Sequence, residues 1–207
     1  MNKKVIIALL AIISFASCSK EEGGTLVTQQ QTLQLPAATQ TGANTFGCYI
    51  NGKLLVPRNG SGTVGGADRG ATLWGGYPNS TDYYEIDIRD YKSNRTAQIL
   101  IHIQAAHLNG VGDYIIDLSN GMSNIDGLNH NYIHCRVFNE ATNSYQYYRS
   151  FNNSGLIKIT RYDYPNGIIS GTFSCRVINS ANPADEIEIT QGRFDFKWNT
   201  LPNKVFP

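Results

Sequence analysis

From Phe46 onward, apolar and polar residues alternate in short bursts. In the segment 96–104, Ile99, Ile101 and Ile103 share one parity, while Gln98 and His102 share the other. Period two marks a strand with one buried face. Comparable patterns cover 46–50, 53–56, 71–77, 83–91, 113–118, 132–139, 144–151, 156–162 and 168–178. No long apolar stripe of period 3.6 interrupts them. Asn51-Gly52 separates the first two segments and is a strong hairpin signal, because both turn residues must accept positive φ. Pro78-Asn79-Ser80 reads as a second turn. The glycine-rich stretch 57–70 and the polar stretch 119–130 read as loops. Some ten or eleven short strands in ~160 residues predict an all-β fold, an antiparallel β-sandwich or alternatively a β-barrel.

The last segment, 186–198, breaks the rule. Ile187 and Ile189 share one face, but Phe194, Phe196 and Trp198 fall on the opposite parity. A regular strand cannot bury both sets. A register change at Gln191-Gly192 restores one buried face, and Gly tolerates the geometry of a bulge.

The chain ahead of Thr45 has another character. Lys3 and Lys4 precede an apolar run from Val5, and Phe15-Ala16-Ser17-Cys18 places small residues before a cysteine. The run is about 12 residues, and a bilayer-spanning helix needs roughly 20. Residues 1–17 therefore read as a secretion signal that resembles that of bacterial lipoproteins, with Cys18 the lipidated residue. That predicts a membrane partner reached through the lipid anchor and an outer-membrane location. Residues 18–44 read as lipidated cysteine and flexible tether, with Gln29-Gln30-Gln31 and many Thr. The ~26 residues after Cys18 span roughly 25–30 Å as a coil. The domain proper is expected over 45–207. Ser19-Lys20-Glu21-Glu22 resembles the lysine-plus-two-acids export tag of Bacteroidota surface lipoproteins. The resemblance implies display on the cell surface, with Lys20, Glu21 and Glu22 as the tag.

Loss of Lys3 and Lys4 leaves 15 cationic against 16 acidic side chains, a net of −1. Such a chain carries no basic field for nucleic acid. Three cysteines remain after Cys18, so at most one intramolecular bridge forms. Alternation puts Cys48, Cys135 and Cys175 on apolar faces. They read as buried thiols, or as one Cys135–Cys175 disulfide. No Cys-x-x-Cys pair suggests a metal. His130 and His134 are ~13 Å apart if both lie on one strand, too far to share an ion. His102 and His107 are isolated. No metal, cofactor or nucleophile motif is expected.

Two constellations carry chemistry. Glu85-Ile86-Asp87-Ile88-Arg89-Asp90 resembles the catalytic strand of laminarinase-like retaining glycosidases. That resemblance implies Glu85 as nucleophile, with Asp87 its partner. The acid position holds Asp90, which strand parity puts on the other face from Glu85. The alternative is an acidic edge in solvent, opposite Ile86 and Ile88. Aromatic residues are the better lead. Trp74, Tyr77, Tyr83, Tyr84 and Tyr91 gather around one hairpin, and Tyr145, Tyr147 and Tyr148 on another strand. Exposed Trp and Tyr offer an apolar face with a polar tip, suited to a glycan or a partner protein. The bland alternative is cross-strand packing.

Thr41-Gly42-Ala43-Asn44-Thr45-Phe46-Gly47-Cys48, Ser170-Gly171-Thr172-Phe173 and Gly192-Arg193-Phe194-Asp195 resemble motifs of an uncharacterised family of small Bacteroidota lipoproteins. The likeness covers most of residues 36–198. That family implies no activity and no catalytic residue. The reading as a whole is a non-enzymatic, surface-displayed binding domain, with a structural envelope component as the rival.

Overall fold

The structure is a computed structural model that describes residues 33–62, 68–75, 82–95, 97–122 and 128–207. It contains eleven strands: β1 Thr45–Ile50, β2 Lys53–Leu55, β3 Ala71–Gly75, β4 Tyr83–Arg89, β5 Gln98–Gln104, β6 Gly112–Ile116, β7 Tyr132–Asn139, β8 Ser144–Arg149, β9 Gly155–Asp163, β10 Ile168–Asn179 and β11 Glu186–Lys197. Each falls in a segment that alternation had marked. Two short elements did not announce themselves, the one-turn helix α1 Ala106–Asn109 and a 3-10 turn at Leu201–Asn203. Both are too short to show a period. No helix among the described residues is long and apolar enough to cross a membrane.

The strands form one antiparallel sheet in the order β2-β1-β11-β10-β8-β7-β5-β4-β3, curled into a half-barrel. It is all-β as expected, but the layers of the expected sandwich are one continuous sheet bent round its own core. β10 is the branch point. Ile168–Cys175 pairs with β9, and Ile178 and Asn179 pair with β8. β6 extends the β9 branch. Backbone bonds close the fork: Ser154 N–H donates to Ile116 O, Arg176 N–H to Ser154 O and Ser150 N–H to Ile133 O. The Ser150 hydroxyl adds a bond to Asp117 O at 2.6 Å.

The concave face holds the core. Ile86, Ile88, Ile99, Ile101 and Ile103 meet Phe46, Ile169, Phe173, Val177, Phe194 and Phe196 there. Each such side chain contributes roughly 1.5–3 kcal/mol by leaving water. Cys48, Cys135 and Cys175 are free thiols in this core. Burial pushes Cys135 up to about 12. Burial also raises Cys48, and the neighbouring Cys135 adds to it. They act as small apolar groups, and the Cys135–Cys175 disulfide considered above is not formed.

The register change in β11 is present, and both neighbours record it. Along β1, Gly47 faces Arg193 but Tyr49 faces Thr190. Along β10, Phe173 faces Gly192 but Cys175 faces Ile189. One extra residue of β11 is accommodated there, and Ile187, Ile189, Phe194 and Phe196 are all buried. The positive φ belongs to Gln191, at 52°, rather than to Gly192. Gly192 is required for another reason. A Cβ there would lie 2.5 Å from the Phe173 ring.

The same parity puts Asp195 on the opposite face, beneath residues 33–44. This segment, expected as the end of a tether, belongs to the folded unit, which begins at Leu33. The Asp195 carboxylate accepts from the Thr39 hydroxyl (2.7 Å), Thr41 N–H (3.0 Å), Gly42 N–H (2.8 Å), Ala43 N–H (3.1 Å) and the Ser170 hydroxyl (2.7 Å). Composition missed the docking because the donors are largely backbone N–H groups, which every residue but proline carries. Burial by itself pushes the carboxyl up. The bonds from Ser170, Thr39, Ala43 and Gly42 outweigh it and bring it down to about 2.

Two outcomes follow for stability. Gly192→Ala drives a methyl into Phe173 and should cost about 1–3 kcal/mol in urea unfolding, the usual penalty of overpacking. Phe173→Leu in the same chain should recover part of that loss, and an undiminished midpoint in Gly192→Ala alone refutes the contact. Asp195 has a folded pKa below its unfolded value near 3.9. Its contribution is complete above pH ~4 and is lost as pH falls toward 2, about 2–3 kcal/mol in all. Acid titration of stability should show this drop in the parent, and Asp195→Asn should lack it.

Candidate functional site

Alternation in β4 turns Ile86 and Ile88 into the core and Tyr83, Glu85, Asp87 and Arg89 to the convex face. The register then sets Glu85 opposite His102, and His102 opposite Tyr132. Four rings stack across three strands. His102 lies parallel between Tyr83, at 5.4 Å, and Tyr132, at 4.6 Å. Tyr132 in turn faces His134 at 6.2 Å. Glu85 Oε1 is 3.1 Å from His102 Nδ1 and accepts from the Tyr132 hydroxyl at 3.4 Å. Glu85 is 5% exposed and His102 1%. The acidic edge expected in solvent is thus a hydrogen-bonded acid–imidazole pair buried from water. Burial raises the Tyr132 phenol, and Glu85 beside it raises it further. Burial lowers His134, against the opposing pull of Asp87 and Glu85.

The arrangement does not assemble the glycosidase pair. Asp87 is held by Arg89 Nη2 at 2.9 Å and Gln98 Nε2 at 3.0 Å. Asp90 accepts two bonds from Arg58, both 2.6 Å. Each carboxylate has its own partner, and none is left as a nucleophile open to a sugar. Ser119 Oγ lies 3.2 Å from His134 Nδ1, but Ser119 is wholly buried and out of reach of any substrate. Among the described residues no group of three His, Cys, Asp or Glu is placed to hold a metal ion.

The aromatic residues proposed from sequence do not form one face. Tyr83 is buried in the convex stack. Tyr84, its neighbour on a strand, necessarily points the other way. Its hydroxyl meets Tyr162 at 2.9 Å and its ring stacks on Trp198 at 6.0 Å. Tyr91 sits against the Arg89 guanidinium. In the second cluster, Tyr148 is buried on Asp185 and Tyr145 lies under Arg136. Tyr77 lies outside the described residues, as do Cys18, Lys20, Glu21 and Glu22.

Trp74 is different. It is 60% exposed on the edge strand β3. Beside it runs a groove of about 200 Å³, bounded by Trp74, Trp198, Leu201, Pro202 and Arg69. Trp198 is braced from behind by Tyr84 and by Tyr164 at 5.7 Å, and Tyr164 by His107 at 4.7 Å. Sequence reasoning missed Trp198 as a site residue because its parity assigned it to the core. A groove this small encloses no whole ligand. It offers two indole rings and a cation to one edge of a larger partner.

The chain matches no known protein-family model, no curated protein and no solved structure.

Proposed function

We propose that this chain is an outer-membrane lipoprotein, lipidated at Cys18 and displayed on the cell surface, whose β domain binds a glycan or a partner protein without cutting it. The observation that carries the binding reading is Trp74, a large apolar side chain left open at a sheet edge beside a braced Trp198. Indole faces stack on the C–H face of a sugar ring or pack into a partner's pocket. The carboxylates are already paired in the fold, which argues against hydrolysis. The signal-like run before Cys18 and the Lys20-Glu21-Glu22 tag support the address. The motifs around Phe46, Phe173 and Phe194 support kinship with the uncharacterised lipoprotein family.

The address and the binding are tested separately. Cys18→Ala should move the protein out of the membrane fraction, and retention equal to the parent removes the lipid anchor. That soluble variant then serves for binding. Purified without its signal, it should show a tryptophan-fluorescence change with one of a panel of surface polysaccharides or outer-membrane extracts. Trp74→Ala should weaken the response about tenfold or more, as for a hot-spot aromatic. Glu85→Gln should leave the products uncut and the binding present wherever the fold survives. Polysaccharide cleavage that disappears in Glu85→Gln overturns the reading in favour of a hydrolase. Binding that is indifferent to Trp74 removes the groove from it.

A further inference from the structure

The buried Glu85–His102 pair does not end at His102. Its other ring nitrogen, Nε2, lies 3.1 Å from Gln104 Oε1. Gln104 is the last residue of β5, and it lines a cleft of about 390 Å³ between the β5 end, β6 and the start of β7. That volume lies within the range of small-ligand sites, unlike the groove at Trp74. The chain turns sharply at its rim, where Ala105 adopts φ 56°, a left-handed conformation uncommon for a residue with a Cβ.

The lining has one chemical character. Gln104, Asn109 and Asn129 present carboxamides. Neither Asn109 nor Asn129 spends its side chain on a hydrogen bond within the protein among the described residues. Gln104 spends one end of its carboxamide on His102 Nε2, and the other end remains for the cleft. Asn131 is structural by contrast: its Oδ1 accepts from Gln104 N–H at 2.9 Å and its Nδ2 donates to Ile115 O at 3.0 Å. His130 donates from Nε2 to Leu118 O at 2.8 Å, which leaves Nδ1 as an acceptor when the ring is neutral. Ile115, 47% exposed, supplies an apolar patch. Asp113 is the one carboxylate, and Lys158 lies 3.3 Å from it.

We propose that this cleft binds a single neutral sugar residue. Hydroxyl groups on adjacent ring carbons each donate and accept, and a carboxamide offers a donor and an acceptor in one plane to meet them. Ile115 covers the apolar C–H face. Asp113 and Lys158 beside it offset each other, so among the described residues the lining leaves no surplus cation to hold a phosphate or carboxylate. The buried relay explains why an imidazole stacked between two tyrosines carries an acid on one ring nitrogen and Gln104 on the other. They hold the Gln104 carboxamide in one orientation, so that its free end is preset toward the ligand. Glu85 and His102 are positioning residues here, and Gln104, Asn109 and Asn129 make the contacts. The site is distinct from the groove at Trp74 and stands without it.

The test uses the soluble Cys18→Ala chain, ¹⁵N-labelled, titrated with the methyl glycosides of glucose, galactose, mannose and N-acetylglucosamine, and with glucuronate as the charged control. At least one neutral glycoside should shift the amide signals of Gln104, Asn109 and Asn129 at millimolar concentration, while glucuronate should not. Gln104→Ala and Asn109→Ala should each weaken that binding about tenfold, the scale of one lost polar contact. Asn109 is exposed, so its variant tests the site even where Gln104→Ala disturbs the fold. Trp74→Ala should leave it unchanged. Shifts from none of the four glycosides, or shifts abolished by Trp74→Ala and indifferent to Asn109→Ala, overturn the proposal. A failure of polysaccharide binding at Trp74 with the glycoside response intact sinks the groove and spares the cleft.

Discussion

One extra residue in β11 decides which way the last strand faces. Without it, Ile187 and Ile189 would share the core only by turning Phe194 and Phe196 into water. Two phenylalanines moved from core to solvent cost several kcal/mol, roughly 1.5–3 each. That is a large part of the 5–15 kcal/mol by which a domain is stable. The bulge also sets the face of Asp195, because it lies between the two aromatic residues. Once Phe194 and Phe196 point inward, Asp195 must point outward, and residues 39–43 close over it. Core packing and docking of the N-terminal segment are therefore one constraint seen from two sides of the sheet.

β10 and its fork impose the second constraint. β11, equally long, lines one edge of the twelve-residue β10, while on the other edge β9 takes one part and β8 takes another. β6 and β9 form one branch and β7 and β8 the other, and Ser150 and Ser154 bond backbone groups between them. The cleft at Gln104 lies between β6 and the start of β7.

Strand positions were legible because the core-facing side of the strands is apolar and the other side largely polar, even in β4 and β5 where both sides are buried. The three core thiols were legible for the same reason. What alternation cannot report is which strand lies beside which. Glu85 on its own reads as a solvated acid. Only the register that brings His102 and Tyr132 beside it makes burial tolerable. Trp198 shares the parity of Phe196, yet it follows the end of β11 and meets solvent at the curled edge. Tyr83 and Tyr84 could have been separated from sequence alone, since neighbours on a strand take opposite faces. Residues 33–44 were illegible in a deeper sense. A carboxylate that recruits backbone N–H groups leaves no mark on the composition of the segment it recruits.

The proposed role in binding rather than cutting rests on how Glu85, Asp87 and Asp90 are held. A catalytic carboxylate must be reachable, and must change its proton or its bond during turnover. Glu85 is buried and bound to an imidazole, and Asp87 and Asp90 are each tied to an arginine. Separating any of these groups from its partner leaves a polar group without compensation, at a cost that grows with burial. A group with that much to lose resists the movement that chemistry requires. The same rigidity is an asset in recognition, where a preset amide or indole spends less on ordering when its ligand arrives. The convex-face network is best understood as a frame. Its acid and imidazole do their work through Gln104, at the margin where the sheet opens to solvent.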